Sequence, residues 1–285
     1  MDGTLGAGGH ACGILKASAP DGQLLGLDVD PQALELARRK LAPFGERAVL
    51  KRDSYTALPR HLADLGWESV DGILLDLGAS SMQFDTPQRG FSFLADGPLD
   101  MRFDPSNPLT AGQIVNEWPE SELADLFYRY GEEPAARRIA RAIVRARPVE
   151  GTSNLAAIIQ QAVGRKGSHH PATKAFQALR IAVNSEMDSL EKVLPLSVHA
   201  LAPGGRLAII AFHSLEDRPV KEYFRRESQD CICPPRQPIC TCGHKACIQE
   251  INRRPITPSE EEITQNPRAR SAKLRIIEKL TVNHE

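Results

Sequence analysis

The sequence predicts an α/β fold, a Rossmann-like doubly wound parallel sheet carrying an inserted all-helical domain. Three observations predict it. Residues 10–104 alternate helix-like and strand-like segments, the pattern of a parallel sheet covered on both faces. Four glycines fall within the first nine residues and run straight into a helix-like segment; a loop of this kind can press bare backbone against a ligand. Asp28 follows His10 by eighteen residues, at the end of the apolar run 24–27, where such folds place the acid that holds a ribose.

The elements follow in order. Residues 10–19 read as a helix stopped before Pro20, and 23–28 as a strand. Pro31 opens an amphipathic helix to about Leu41, because proline at the first helical turn forfeits no backbone donor. Residues 47–51 read as a strand, 56–65 as a helix and 70–77 as a buried strand passing through Asp76. From about 109 to 200 helix follows helix, with Thr110, Glu120, Ser153 and Pro171 near the starts. Leu201-Ala202-Pro203-Gly204-Gly205 then breaks the pattern, and 206–212 returns as an apolar strand. The expected division is 1–104 and 191–285 for the sheet domain, with 105–190 as the helical insert. In such folds a buried strand precedes the glycine loop, and almost nothing precedes it here. The first strand is therefore expected to be missing from this chain.

Composition excludes some classes. Hydrophobic residues at 41% and charged residues at 25% suit a soluble globular chain. No apolar run approaches the roughly 20 residues that cross a bilayer, so no membrane partner is expected and the cytoplasm is the default location. The net charge of −1 does not advertise nucleic-acid binding, yet arginines crowd 137–147 and basic residues crowd 268–275. Each taken alone reads as solvated surface; two clusters beside a cofactor site favour a phosphate-bearing substrate.

Chemistry in open α/β sheets gathers just past the strand ends. Those positions hold Asp2, Gly6, Gly8, Gly9 and His10; Asp28; Asp53, Ser54 and Tyr55; Asp76, Gly78, Ser80, Ser81 and Gln83; and His213, Ser214, Glu216, Asp217 and Arg218. Singly, Asp28 could cap a helix and Asp76 could be a turn acid. Together they predict a cofactor cleft. The loop lacks the G-x-G-x-x-G dinucleotide spacing, and Asp2 would repel a pyrophosphate. An acid there suits an ammonium-bearing cofactor, S-adenosyl-L-methionine. A nicotinamide-dependent dehydrogenase is the disfavoured enzyme alternative.

Long, unusual motifs then carry a resemblance. They are residues 2–10, Asp76-Leu-Gly-Ala-Ser-Ser81, Arg89-Gly-Phe-Ser-Phe93, Asp96-Gly-Pro-Leu-Asp-Met-Arg102, His170-Pro-Ala-Thr-Lys-Ala-Phe-Gln177, Phe212-His-Ser-Leu-Glu-Asp-Arg218 and Asn266-Pro-Arg-Ala-Arg-Ser271. Over nearly its whole length the chain resembles the small-subunit ribosomal RNA methyltransferase H family (RsmH/MraW). The family consists of S-adenosylmethionine-dependent enzymes that methylate the N4 amine of a cytosine in the decoding region. The resemblance implies that Gly8, Gly9 and His10 line the methionine end of the cofactor and that Asp28 binds ribose. It implies Tyr55 near the adenine, Asp76 and Gln83 completing the pocket, and a helical insert that helps recognise RNA. The partner implied is small-subunit ribosomal RNA or the small subunit itself; a homodimer is left open.

Methyl transfer to an exocyclic amine needs alignment and an acceptor for an amine proton. Candidates for the acceptor are Asp76, Ser80, Ser81 and His213, and the sequence does not choose among them. Phe91 or Phe93 could stack a flipped base or pack a core. Arg102, Arg218 and the 137–147 cluster could hold phosphates. An RNA-binding or assembly factor with an inactive pocket is the reading from another class. No metal is assigned: the pairs Cys231/Cys233 and Cys240/Cys242 could converge on zinc, but reduced thiols packing a loop fit equally, and disulfides less well.

Overall fold

The computed structural model describes residues 1–164, 170–235, 237 and 239–281. Two compact units emerge: Met1–Gly78 with Met187–Glu285, and Ala79–Glu186.

The first unit is the sheet domain. Its leading half runs α1 (Gly9–Ala17), β1 (Leu24–Asp28), α2 (Pro31–Leu41), β2 (Ala48–Arg52), α3 (Leu58–Leu65) and β3 (Val70–Asp76). β1 pairs parallel with β2, from Leu24 opposite Ala48 to Asp28 opposite Arg52. Adjacent residues of β1 point to opposite faces: Leu24 packs with Ala11, Leu15, Leu34 and Ala37 of α1 and α2. Leu25 and Leu27 pack on the other side with Leu58, Leu62 and Leu75. Helices cover both faces, as the double winding requires. α2 starts where its proline predicts, and the Asp30 carboxylate caps it by accepting from the Gln32 N–H at 2.9 Å.

In the second unit lie α4 (Ser81–Asp85), α5 (Ala111–Glu117), α6 (Glu120–Gly131), α7 (Ala136–Ala146), α8 (Thr152–Val163) and α9 (Ala172–Asn184). It begins at Ala79 rather than 105. Residues 84–103, which lack regular periodicity, are absorbed into its core: Phe91, Leu99 and Met101 are buried with Ile114, Phe127 and Leu179.

The chain returns to the sheet domain through α10 (Glu186–Ala200), β4 (Leu201–Ala211), α11 (Ser214–Glu227), β5 (Ile248–Glu250), α12 (Glu260–Gln265) and β6 (Lys273–Lys279). β4 pairs parallel with β3 and starts earlier than the expected 206. Leu201 already pairs with Val70, and the glycine turn is absorbed as a register shift before Arg206 meets Gly72. β6 is antiparallel to β4, and β5 to β6. Neither β5 nor β6 is expected from the sequence pattern.

The place of the first strand is not empty, because Asp2 bridges Gly26 of β1 and Leu74 of β3, parallel to both. The Asp2 N–H donates to the Leu25 carbonyl at 2.9 Å and the Gly3 N–H to the Leu74 carbonyl at 2.9 Å. Three residues thus continue the ladder where a whole strand was expected to be lacking. Among the described residues no helix is long and apolar enough to cross a membrane.

Candidate functional site

The glycine loop is held by its neighbours at the carboxyl ends of β1 and β3. After Gly3 the Thr4 N–H donates to Asp2 Oδ1 at 3.2 Å, and Thr4 Oγ1 accepts from the Asp76 N–H at 2.6 Å. The chain then turns through Gly6 (φ +52°) and Gly8 (φ +76°), left-handed backbone that disfavours a side chain. Gly8 caps α1 with its backbone alone, since no side chain bonds the first helical turn. That terminus presents N–H groups and a partial positive charge over the loop.

Three carboxylates surround this turn. Asp28 accepts from the Gly6 N–H with Oδ2 at 2.7 Å and from the Asp30 N–H with Oδ1 at 2.9 Å. Burial pushes its pKa upward, against the pull of these two donors. Asp2 is fully buried, and burial raises its pKa to about 6. Asp76 lies 3.4 Å from His10 through Oδ2 and Nε2. The hydrogen bond to Asp76 raises the His10 pKa, with burial opposing. Asp2 Oδ2 and Asp76 Oδ1 are both buried without a hydrogen-bond partner. Two orphaned carboxylate oxygens beside a glycine turn are costly unless something donates to them. Tyr55 stands close by, its Cβ 3.1 Å from where a Cβ on Gly3 would sit.

Gly8, Gly9, His10, Asp28, Tyr55 and Asp76 therefore meet within the sheet domain. The other expected residues occupy different settings. Ser80 and Gln83 form a reciprocal cap on α4: Ser80 Oγ accepts from the Gln83 N–H at 3.3 Å and Gln83 Oε1 from the Ser80 N–H at 3.0 Å. Ser81 is the first residue of that helix. His213 caps α11, its Nδ1 accepting from the Glu216 N–H at 3.3 Å. Its Nε2 lies 3.0 Å from Glu216 Oε1, so both ring nitrogens are engaged by one residue and the ring is positioned rather than free. Asp53 is taken by Arg60 and by His61, the latter at 2.9 Å.

The aromatic and basic candidates also separate. Phe91 is core, stacked on Phe103 at 5.5 Å, and Phe93 packs against Phe176 and His170; neither is poised as a stacking platform. Arg102 is tied to Asp100 at 2.7 Å and to the carbonyls of Pro105 and Asn107, each at 2.8 Å, so it organises its loop. Arg147 donates to the carbonyls of Val115 and Trp118, whereas Arg137, Arg138, Arg141 and Arg145 are exposed along α7. Of the C-terminal cluster, Arg275 and Lys273 converge on Asp217 at 2.7 and 3.2 Å. Burial drives the Asp217 pKa up, but the two cations outweigh it and hold it below the usual range.

Thr4 was missed in the sequence. Its only signal is its place directly after Asp2-Gly3 in the glycine loop, and a threonine in a loop is ordinarily a turn residue.

The model of the MraW methylase family matches residues 1–280. The chain belongs to the MraW methylase family. Among curated relatives, a "Ribosomal RNA small subunit methyltransferase H" of Syntrophotalea carbinolica is 54% identical over 288 residues, covering 98% of this chain and 91% of its own length. The protein of that name from Dehalococcoides mccartyi (strain BAV1) is 52% identical over 281 residues, covering 98% and 80%. Among solved structures, an rRNA methylase from Streptococcus thermophilus aligns over 98% of this chain and 85% of its own, at 13% identity and a TM-score of 0.44.

Proposed function

We propose that this chain transfers a methyl group from S-adenosyl-L-methionine to the N4 amine of a cytosine in the decoding region of small-subunit ribosomal RNA. The observation that carries the reading is the pair of buried, partnerless oxygens on Asp2 and Asp76 beside a helix start that no side chain caps. The donor set fits the cofactor. Orphaned carboxylates suit an ammonium and a neighbouring cation, while the open α1 terminus suits a carboxylate. Asp28 retains lone pairs for ribose hydroxyls after serving two backbone donors, and the flat ring of Tyr55 suits an adenine. When bound, the cofactor supplies an electrophilic methyl group on a sulfonium.

In this reading Gly8, Gly9 and His10 receive the methionine end, and Asp28 fixes the ribose. Asp76 orients His10 and turns its unpaired oxygen toward positive charge. Alignment is the principal task of these residues, since displacement at a methyl group is in line. A carboxylate accepting an amine proton's hydrogen bond would favour pyramidal nitrogen and disperse the charge that develops on it. Asp76 is the best placed of the acceptor candidates, because Ser80 serves a helix cap and His213 is engaged by Glu216. Ser81 stays an acceptor candidate and Gln83 a cofactor-binding candidate through the family motif alone. The exposed arginines of α7, with Tyr128 and Lys174, give the helical unit a face suited to RNA phosphates and a stacked base.

The test is transfer of labelled methyl to isolated small subunits, with the product nucleoside identified by mass spectrometry. N4-methylcytidine is the expected product. Cofactor binding with no product on any subunit preparation would support the assembly-factor reading instead.

A further inference from the structure

Between α11 and β5, in residues 228–247, none of the described residues belongs to a helix or strand and none is buried. Apolar burial therefore contributes little to ordering this stretch, through Cys247 packed on the sheet-domain core. Even so, the sulfurs of Cys231, Cys233, Cys240 and Cys242 all lie within 4.8 Å of one another. We propose that these four cysteines form a structural zinc site, a closed tetrathiolate centre that staples this loop. The proposal does not depend on the methyl-transfer reading.

The spacing argues for one metal ion. Zinc–thiolate bonds of about 2.3 Å in a tetrahedron set the sulfurs roughly 3.8 Å apart. Here Cys231–Cys240 is 3.4 Å, Cys240–Cys242 3.6 Å, Cys231–Cys242 3.9 Å and Cys233–Cys240 4.0 Å. A disulfide needs about 2.05 Å, and all four are free thiols.

The backbone argues for thiolates. The Ile232 N–H donates to Cys242 Sγ at 3.5 Å, and the Thr241 N–H donates to Cys233 Sγ at 3.5 Å. Each middle residue of a C-x-C pair thus donates to the second cysteine of the other pair, a reciprocal arrangement. Donors aimed at sulfur orient ligands and disperse charge from anionic sulfur. Four soft ligands in a tetrahedral set, with no oxygen or nitrogen donor among them, select zinc over magnesium, calcium or manganese. With no open coordination position the centre is structural rather than catalytic.

The decisive measurement is metal content of the full chain, expressed in zinc-supplemented medium and purified under reducing conditions. One zinc per chain is expected, released stoichiometrically when a mercurial titrates the thiols in the presence of a metallochromic dye. Cys233→Ser and Cys242→Ser should each retain at least tenfold less zinc, whereas Cys247→Ser should retain it. Because release is read on the unaltered chain, a poorly folding variant leaves the test intact. A metal-free chain, two disulfides by mass, or iron in place of zinc would each overturn the assignment.

Discussion

The Gly6 N–H donates to Asp28 Oδ2 at 2.7 Å, so the acid expected to hold a ribose also holds the loop expected to hold the rest of the cofactor. One carboxylate fixes the glycine turn and the start of α2 together, since its other oxygen serves Asp30. Asp28→Ala should strand two backbone donors, at about 1–3 kcal/mol for each buried group left unsatisfied. Affinity for S-adenosylhomocysteine should fall at least about tenfold, near 1.4 kcal/mol. Asp28→Asn keeps one acceptor and should recover part of the stability but little of the affinity. Calorimetric titration and denaturant melts on both variants separate the two effects.

Asp2 gives a pH prediction. Its pKa is raised by burial to about 6 from an ordinary 3.8. The folded chain therefore binds the proton more tightly than the unfolded one, and ionised Asp2 opposes folding at neutral pH. That penalty is fully present above about pH 6 and disappears as pH falls through 6 toward 3.8. Asp2→Asn should thus be more stable than the parent at pH 7.5, by about 1–3 kcal/mol, with the gap closing by pH 4. The same variant should bind cofactor more weakly, because the anion suited to a cationic ligand is gone. A parent and variant that melt alike at pH 7.5 would refute the assignment of a penalty to this carboxylate.

Much of this site was legible because strand ends and glycine turns leave local signatures. The glycine loop, Asp28, and the helix opened by Pro31 all follow from period, punctuation and spacing. The roles of Arg102, Arg147 and Arg275 were not legible, because a guanidinium bound to carbonyls or to a buried carboxylate has the same sequence appearance as one facing phosphate. β5 and β6 escaped for a related reason. β6 reads Lys-Leu-Arg-Ile-Ile-Glu-Lys, and its buried Arg275 breaks the apolar alternation until Asp217, 58 residues earlier in the chain, is known to pair with it. The zone 84–103 hid its core role because aromatic residues there pack without helical or strand period.

That buried pair should be essential to the sheet domain. Arg275 and Asp217 are both almost inaccessible, at 5% and 9% exposure, and join α11 to β6. Arg275→Met leaves Asp217 with Lys273 alone, a loss of about 3–5 kcal/mol by the behaviour of broken buried pairs. The double variant Arg275→Met with Asp217→Leu should recover a large part of it, because no unpaired charge then stays behind. A double variant as unstable as the single would show that the ion pair itself, and not the orphaned charge, supplies the stability. Since the Asp217 pKa is depressed, its contribution is present above the ordinary carboxylate pKa and is lost as pH falls through the depressed value.

His213 allows positioning to be told apart from chemistry. Its Nδ1 accepts from a backbone N–H, so in the neutral ring the proton sits on Nε2, 3.0 Å from Glu216 Oε1. The Glu216 carboxylate in turn accepts from the Phe212 N–H at 2.8 Å, closing a small network that fixes the turn from β4 into α11. His213→Ala should lose the cap, at about 1 kcal/mol, and slow methyl transfer by disordering the turn. Asn is a good cap without an imidazole's proton chemistry, so His213→Asn should restore melting temperature and most of the turnover. If Asn restored stability while turnover stayed as low as in the Ala variant, the imidazole would have a chemical role and the acceptor would lie here rather than at Asp76.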